Sequence, residues 1–153
     1  MTGPRTDRDR GHLQHAIELG QRCPVSPSAF SVGAVIIDAE GAVLVTGYSR
    51  ETDPYDHAEE AALAKLVSDD ARLGKATLYS SLEPCSARAS RPRSCTELIL
   101  ATQIPRIVFA WREPALFVDC QGAELLRAAG REVVELPELA YLVRRTNQHL
   151  LKP

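Results

Sequence analysis

Thr77-Leu78-Tyr79-Ser80-Ser81-Leu82-Glu83-Pro84-Cys85 opens as a strand over Thr77–Ser80, and Leu82-Glu83-Pro84 carries it into a loop. The loop ends near Cys95, where Thr96-Glu97-Leu98-Ile99-Leu100-Ala101 has the composition of a helix. Toward the C-terminus, Arg106-Ile107-Val108-Phe109-Ala110 reads as a strand and Gly122 to Ala129, stopped by Gly130, as a helix. Glu132 to Leu136 is again a strand, and Pro137 to Leu151 a closing helix. Such alternation implies parallel strands joined by right-handed crossovers. Toward the N-terminus the pattern changes. Ala58 to Val67, rich in alanine and leucine, is a helix that opens at His57. Before it, Val32 to Asp38 and Ala42 to Tyr48 flank the Glu40-Gly41 turn as an antiparallel hairpin, and Gly33 marks a close backbone approach or a bulge. From His12, the residues Leu13, Ala16, Ile17, Gly20 and Cys23 keep helical spacing until Pro24. The expected fold is therefore α/β, a three-layer α/β/α arrangement. Its five-stranded mixed sheet begins as a hairpin and carries helices on both faces.

The chain has 153 residues, enough for one domain with a substantial core. The opening residues 1–10 are polar throughout and read as a flexible tail, with a single domain over 11–153. Eighteen basic and twenty acidic side chains leave a net charge of −2, which argues against duplex nucleic acid or an anionic membrane as partner. No apolar stretch approaches 18 residues and no signal segment is present, so a cytoplasmic protein is expected. In that setting the four cysteines are metal ligands or buried thiols rather than disulfides.

His57, Cys85 and Cys95 supply one imidazole and two thiols, and Glu59 stands two residues from the histidine. Zn2+ in a catalytic site takes three protein ligands and keeps one position for water, whose pKa then falls to about 7. A neighbouring carboxylate can move the proton that this water loses. The reading is a zinc hydrolase with His57, Cys85 and Cys95 as ligands and Glu59 as catalytic acid and base. Residues two apart lie about 200° apart around an ideal helix, so His57 and Glu59 converge only if they occupy its open first turn. A structural zinc site normally has four protein ligands. The alternative of a non-catalytic, zinc-stabilised assembly domain would therefore need Cys23 or Cys120 as the fourth. Arg88, Arg91 and Arg93, between the two cysteines, suit a substrate phosphate through forked hydrogen bonds, or else form a solvated basic loop. Phe30 and Trp111 are candidates for stacking on a base, with core packing as the alternative.

His57-Ala58-Glu59 with Pro84-Cys85 resembles the zinc-dependent cytidine deaminase superfamily, whose H-x-E and P-C-x-x-C pattern binds zinc while the glutamate shuttles protons. The run Thr77 to Ser86, the Arg/Pro-rich loop and the distant Cys95 look most like the pyrimidine deaminase domain of the bifunctional riboflavin-biosynthesis deaminase/reductase. The likeness extends from about His12 to Leu150. It implies a cytidine-deaminase-like fold, Zn2+ as cofactor and hydrolytic release of ammonia from an aminopyrimidine-type small molecule, either free or phosphorylated in the riboflavin-pathway manner. Cytidine, deoxycytidylate or a guanine-type base remains the alternative substrate. Two features depart from the pattern: nine residues separate the cysteines, one more than expected, and Ala29 occupies the place of an expected base-contacting asparagine. Ser28 and Phe30 instead resemble the free cytidine deaminases, which makes them candidate substrate contacts. The reductase domain is not within these residues, so a free-standing deaminase is expected. Pairing as a homodimer or homotetramer is implied by the superfamily.

Overall fold

The computed structural model describes residues 3–67, 69–88, 91–114 and 120–151. Five strands form one sheet in the order β2-β1-β3-β4-β5. β1 (Gly33–Ile37) and β2 (Val43–Tyr48) are the expected hairpin. Its turn is held by Asp38, whose Oδ1 accepts from the amides of Glu40 and Ala42, and by Gly41 at φ 87°. β1 also pairs antiparallel with β3 (Thr77–Leu82), after which β4 (Arg106–Trp111) and β5 (Glu132–Glu135) add in parallel. The sheet is mixed because β1 alone runs antiparallel to its two neighbours, β2 and β3, while β3, β4 and β5 are parallel.

Alternation along the central strands gives each face its own core. Ala34, Ile36, Leu78 and Ile107 face α2 (Ala58–Leu63), α3 (Cys95–Leu100) and α4 (Gly122–Ala128). Val35, Ile37, Tyr79 and Val108 face α1 (Pro4–Gly20) and α5 (Ala140–Thr146). At Gly33 a Cβ would collide with the carbonyl oxygen of Ala16, so glycine lets α1 lie directly on β1. Of the two expected roles of this residue, close approach holds. The strand's irregularity falls instead between Ile36 and Ile37.

Several boundaries differ from the sequence reading. α1 begins at Pro4, so residues 4–10, read as a tail, form its first turns. Their charges are matched by residues far along the chain: Arg5 by Glu132, Arg10 by Glu138 and the buried Asp9 by Arg106. α2 ends at Leu63 rather than Val67, and a 3-10 turn at Ala71–Lys75 precedes β3. The closing helix is divided into a 3-10 turn at Pro137–Leu139, α5, and α6 (Gln148–Leu151). The break at Asn147 has a cause. Its fully buried side chain accepts from the Ser31 amide at 2.6 Å and donates to the Ser31 carbonyl at 3.0 Å, tying the chain end to the segment that enters β1.

Candidate active site

The C-terminal ends of β3 and β4 and the N-terminal end of β1 meet at one edge of the sheet, where open α/β folds bind ligands. His57 is the N-cap of α2, in extended conformation (φ −88°, ψ 162°), and Glu59 is its second helical residue. The first turn is therefore open in the way that convergence of the two side chains requires. The His57 amide donates to Glu60 Oε1 at 3.3 Å, which fixes the start of the helix.

β3 delivers Cys85 through Glu83-Pro84, and Cys95 is the first residue of α3. Ser94 caps that helix by accepting from the Glu97 amide, while Glu97 accepts from the Ser94 amide. This capping box was readable in Ser94-Cys95-Thr96-Glu97 and places Cys95 one residue earlier in the helix than the sequence reading did. The free amides of its first turn are used on the other cysteine. Cys95 N–H donates to Cys85 Sγ (3.3 Å) and Thr96 N–H to the Cys85 carbonyl (3.0 Å).

The result is a compact donor set. His57 Nδ1 lies 3.5 Å from Cys85 Sγ and 3.4 Å from Cys95 Sγ, and all three atoms are within 4.8 Å of one another. Zinc bonds of about 2.0–2.3 Å at tetrahedral angles place neighbouring donors about 3.5 Å apart, so this set fits the ion without rearrangement. Hydrogen bonding from Cys95, opposed by burial and reinforced by His57, holds the Cys85 thiol well below its usual range, so one thiolate is favoured before any metal arrives. Among the described residues this trio is the one His/Cys/Asp/Glu group that gathers as a metal site. Cys23 and Cys120 turn to the carbonyls of Val32 and Pro84, and neither joins the trio.

Glu59 is 3% exposed, and its Oε1 is 2.6 Å from Ser80 Oγ. Burial pushes this carboxyl up, against the pull of hydrogen bonds from Ser80 and Cys95. It lies at a cleft of about 430 Å3 whose walls include Ser28, Phe30, Arg50, Tyr55, His57, Cys85, Arg88 and Glu113. That volume suits one heterocycle with a substituent. Phe30 forms the wall and Trp111 backs it edge-on, with ring centroids 5.7 Å apart at 82°. Of the expected substrate contacts, Ser28, Phe30 and Arg88 line the cleft, whereas Trp111 and Arg91 are placed behind or beside that lining. All three loop arginines are engaged with the protein itself, Arg93 by donating to the Glu97 carbonyl at 3.4 Å. Arg88 donates to Glu60 (3.1 Å) and to the Tyr55 carbonyl (2.6 Å), and Arg91 pairs with Asp53 (3.1 Å) and Asp56 (3.2 Å).

Two further carboxyls border the site. Glu83, which by its place at the strand end either shapes the turn or binds loop backbone, does the latter: it is 2% exposed and accepts from the amides of Glu113 (3.2 Å) and Ala123 (2.9 Å), so it anchors both ends of the loop after β4. Glu113 was not singled out. Burial, opposed by a hydrogen bond with Cys120, pushes its carboxyl up to about 7, and its Oε2 has no hydrogen-bond partner among the described residues. Nothing in the spacing of Arg112-Glu113-Pro114 signals that environment.

The chain's similarities follow the same residues. Residues 6–111 match the cytidine and deoxycytidylate deaminase zinc-binding region. The chain is 41% identical over 126 residues to a diaminohydroxyphosphoribosylamino-pyrimidine deaminase of Schizosaccharomyces pombe, covering 81% of this chain and 31% of that protein. It is 38% identical over 127 residues to the riboflavin biosynthesis protein RibD of Aquifex aeolicus, covering 82% and 34%. A crystal form of Acinetobacter baumannii RibD superposes with a TM-score of 0.82 at 30% identity, over 96% of this chain and 40% of that one. The chain thus spans about a third of the length of the curated relatives it matches. With more than half its length matched and the donor set assembled, the chain belongs to the cytidine and deoxycytidylate deaminase zinc-binding family.

Proposed function

We propose that this protein is a zinc-dependent hydrolytic deaminase of a phosphoribosylated aminopyrimidine, with His57, Cys85 and Cys95 as ligands and Glu59 as the proton carrier. The observation that carries the reading is a buried carboxyl held beside a three-donor zinc set at the floor of a heterocycle-sized cleft. The substrate class is supported by the activity for which the Schizosaccharomyces pombe relative is named. When bound, zinc supplies the Lewis acidity that makes water a nucleophile at neutral pH. Glu59 takes one proton from the attacking water and passes it to a ring nitrogen, then takes the proton left on the added oxygen and passes it to the amine, which leaves as ammonia as the C–N bond breaks. Its raised proton affinity suits both halves of the transfer. Phe30 presents an apolar wall to the ring and keeps solvent from the reacting carbon. A phosphate on the substrate would share the Arg88 or Arg91 guanidinium with the carboxylates paired to it. Three donors without a fourth among the described residues support a working site over a purely structural one. Pairing through helix faces, as in the superfamily, goes with this reading.

The test is an ammonia-release assay of zinc-loaded protein against the riboflavin-pathway aminopyrimidine, cytidine, deoxycytidine monophosphate, guanine and adenine. Release from the first alone is the expected result, and release from none would end the proposal. Glu59→Gln should retain zinc and lose about 10²- to 10⁴-fold in turnover.

A further inference from the structure

We propose that Ser80 is the positioning residue for the Glu59 carboxyl, an inference that rests on the deaminase reading above. Along β3 the residues Leu78, Ser80 and Leu82 point to the same face, because side chains alternate along a strand. Leu78 and Leu82 join the apolar core there, and Ser80, between them, is fully buried. A hydroxyl in such a stripe is unfavourable unless hydrogen-bonded, so the choice of serine needs a partner to account for it. The partner is Glu59. Ser80 Oγ stands 2.6 Å from Glu59 Oε1 and 2.7 Å from the Leu82 carbonyl oxygen.

With one hydroxyl proton, Ser80 donates to the Leu82 carbonyl while accepting from a protonated Glu59, and turns that proton to Glu59 when the carboxyl is ionised. The Leu82 carbonyl is fixed by the strand, and Leu82 itself lines the cleft. Glu59, by contrast, reaches the floor from the first turn of a six-residue helix through three rotatable bonds. Its backbone alone does not define where the carboxyl stops. The contact through Ser80 ties the carboxyl to β3, whose continuation through Glu83-Pro84 delivers Cys85, so that proton carrier and metal ligand are held from one strand. Placement errors near 1 Å in a reacting group can cost about 100-fold in rate, which makes such a tether consequential.

The decisive variant is Ser80→Ala, which removes the bridging oxygen and little volume. Zinc content and melting temperature should stay close to those of the wild type. Its crystal structure should show the Glu59 carboxyl displaced or in several conformers. The kcat should fall about 10- to 100-fold with KM within about twofold, and adding Ser80→Ala to Glu59→Gln should slow the enzyme no further. Ser80→Thr keeps the hydroxyl and should restore both the carboxyl position and most of the rate. A Glu59 carboxyl unmoved in the alanine variant, a loss confined to KM, or a double variant slower than Glu59→Gln alone would each overturn the assignment. If the wild type deaminates nothing, the functional reading fails, and the crystallographic position of Glu59 still decides what Ser80 does.

Discussion

At the scale of single residues, the site divides into what covalent spacing announces and what only contact creates. His57, Glu59, Cys85 and Cys95 were readable because a histidine, a carboxylate and two cysteines at a strand end and two helix starts already describe a zinc centre. The use of Nδ1 and the roles of Ser80 and Glu113 were not readable, since each depends on side chains from separate elements meeting. Cys95 offers a direct check on the centre. It is fully buried at the head of α3, and zinc binding contributes to folding, so Cys95→Ser should lose most of the metal and melt several degrees lower. Adding a chelator to the wild type should reproduce that melting loss and leave the serine variant unchanged. Glu113 permits a second check with the opposite sign. Its ordinary pKa of 4.5 is raised to about 7 on folding, so the folded state binds the proton more tightly than the unfolded chain. Stability is therefore lost as pH rises from about 4.5 to 7. Glu113→Gln removes that loss, and its melting temperature should exceed the wild-type value at pH 8 and approach it at pH 4.5.

At the scale of elements, sequence periodicity placed every strand and most helices, and it failed where a neighbour decides the boundary. α2 stops at Leu63 although the apolar composition runs on to Val67, and the last helix breaks at Asn147 because that side chain is committed to Ser31. The loop between the cysteines shows the same limit. Its arginines suited an anion by composition, yet the Asp53-to-Glu60 stretch supplies carboxylates that pair with Arg88 and Arg91. Glu83 shows how one buried carboxylate can organise an entire connection. It satisfies amides on both sides of the loop between β4 and α4, where Gly122 also lies too close to the Pro84 carbonyl to carry a Cβ. Hydrogen bonds to charged groups contribute about 1.5–3 kcal/mol each. Glu83→Ala should therefore destabilise the protein by about 3 kcal/mol or more in urea titration. It should also raise amide exchange at Ala123 ahead of the β3 amides. Uniform exchange across both would show that Glu83 does no local anchoring.

At the scale of the whole molecule, the two faces of the sheet do different work. The α2/α3 face builds the metal centre, and the α1/α5 face fastens the ends of the chain to the sheet. The fold class was legible because its alternation is local, whereas the fastening of residues 4–10 was not, since Asp9 meets partners that lie far away in sequence. Arg106 on β4 donates to both Asp9 oxygens at 2.8 and 2.7 Å, and Tyr79 on β3 donates to Oδ1 at 2.6 Å. Burial alone would raise the Asp9 carboxyl, but the hydrogen bonds and charge of Arg106 with the Tyr79 hydroxyl outweigh it and hold the group below its ordinary 3.8. A depressed carboxyl stabilises the fold when ionised, so its contribution is complete above pH 3.8 and disappears as pH falls through the lower folded value. Asp9→Asn removes one of the two carboxylates on the Arg106 guanidinium and leaves Glu132 at 3.2 Å, so the cost should fall short of the about 3–5 kcal/mol of a buried charge with no partner. The variant should melt well below the wild type at pH 7, and the gap should narrow steadily below pH 3.8. Helix α1 would be the first element to lose amide protection in that acid range. A gap of equal size at pH 7 and pH 3 would mean that packing at Asp9, rather than its charge, joins α1 to the sheet.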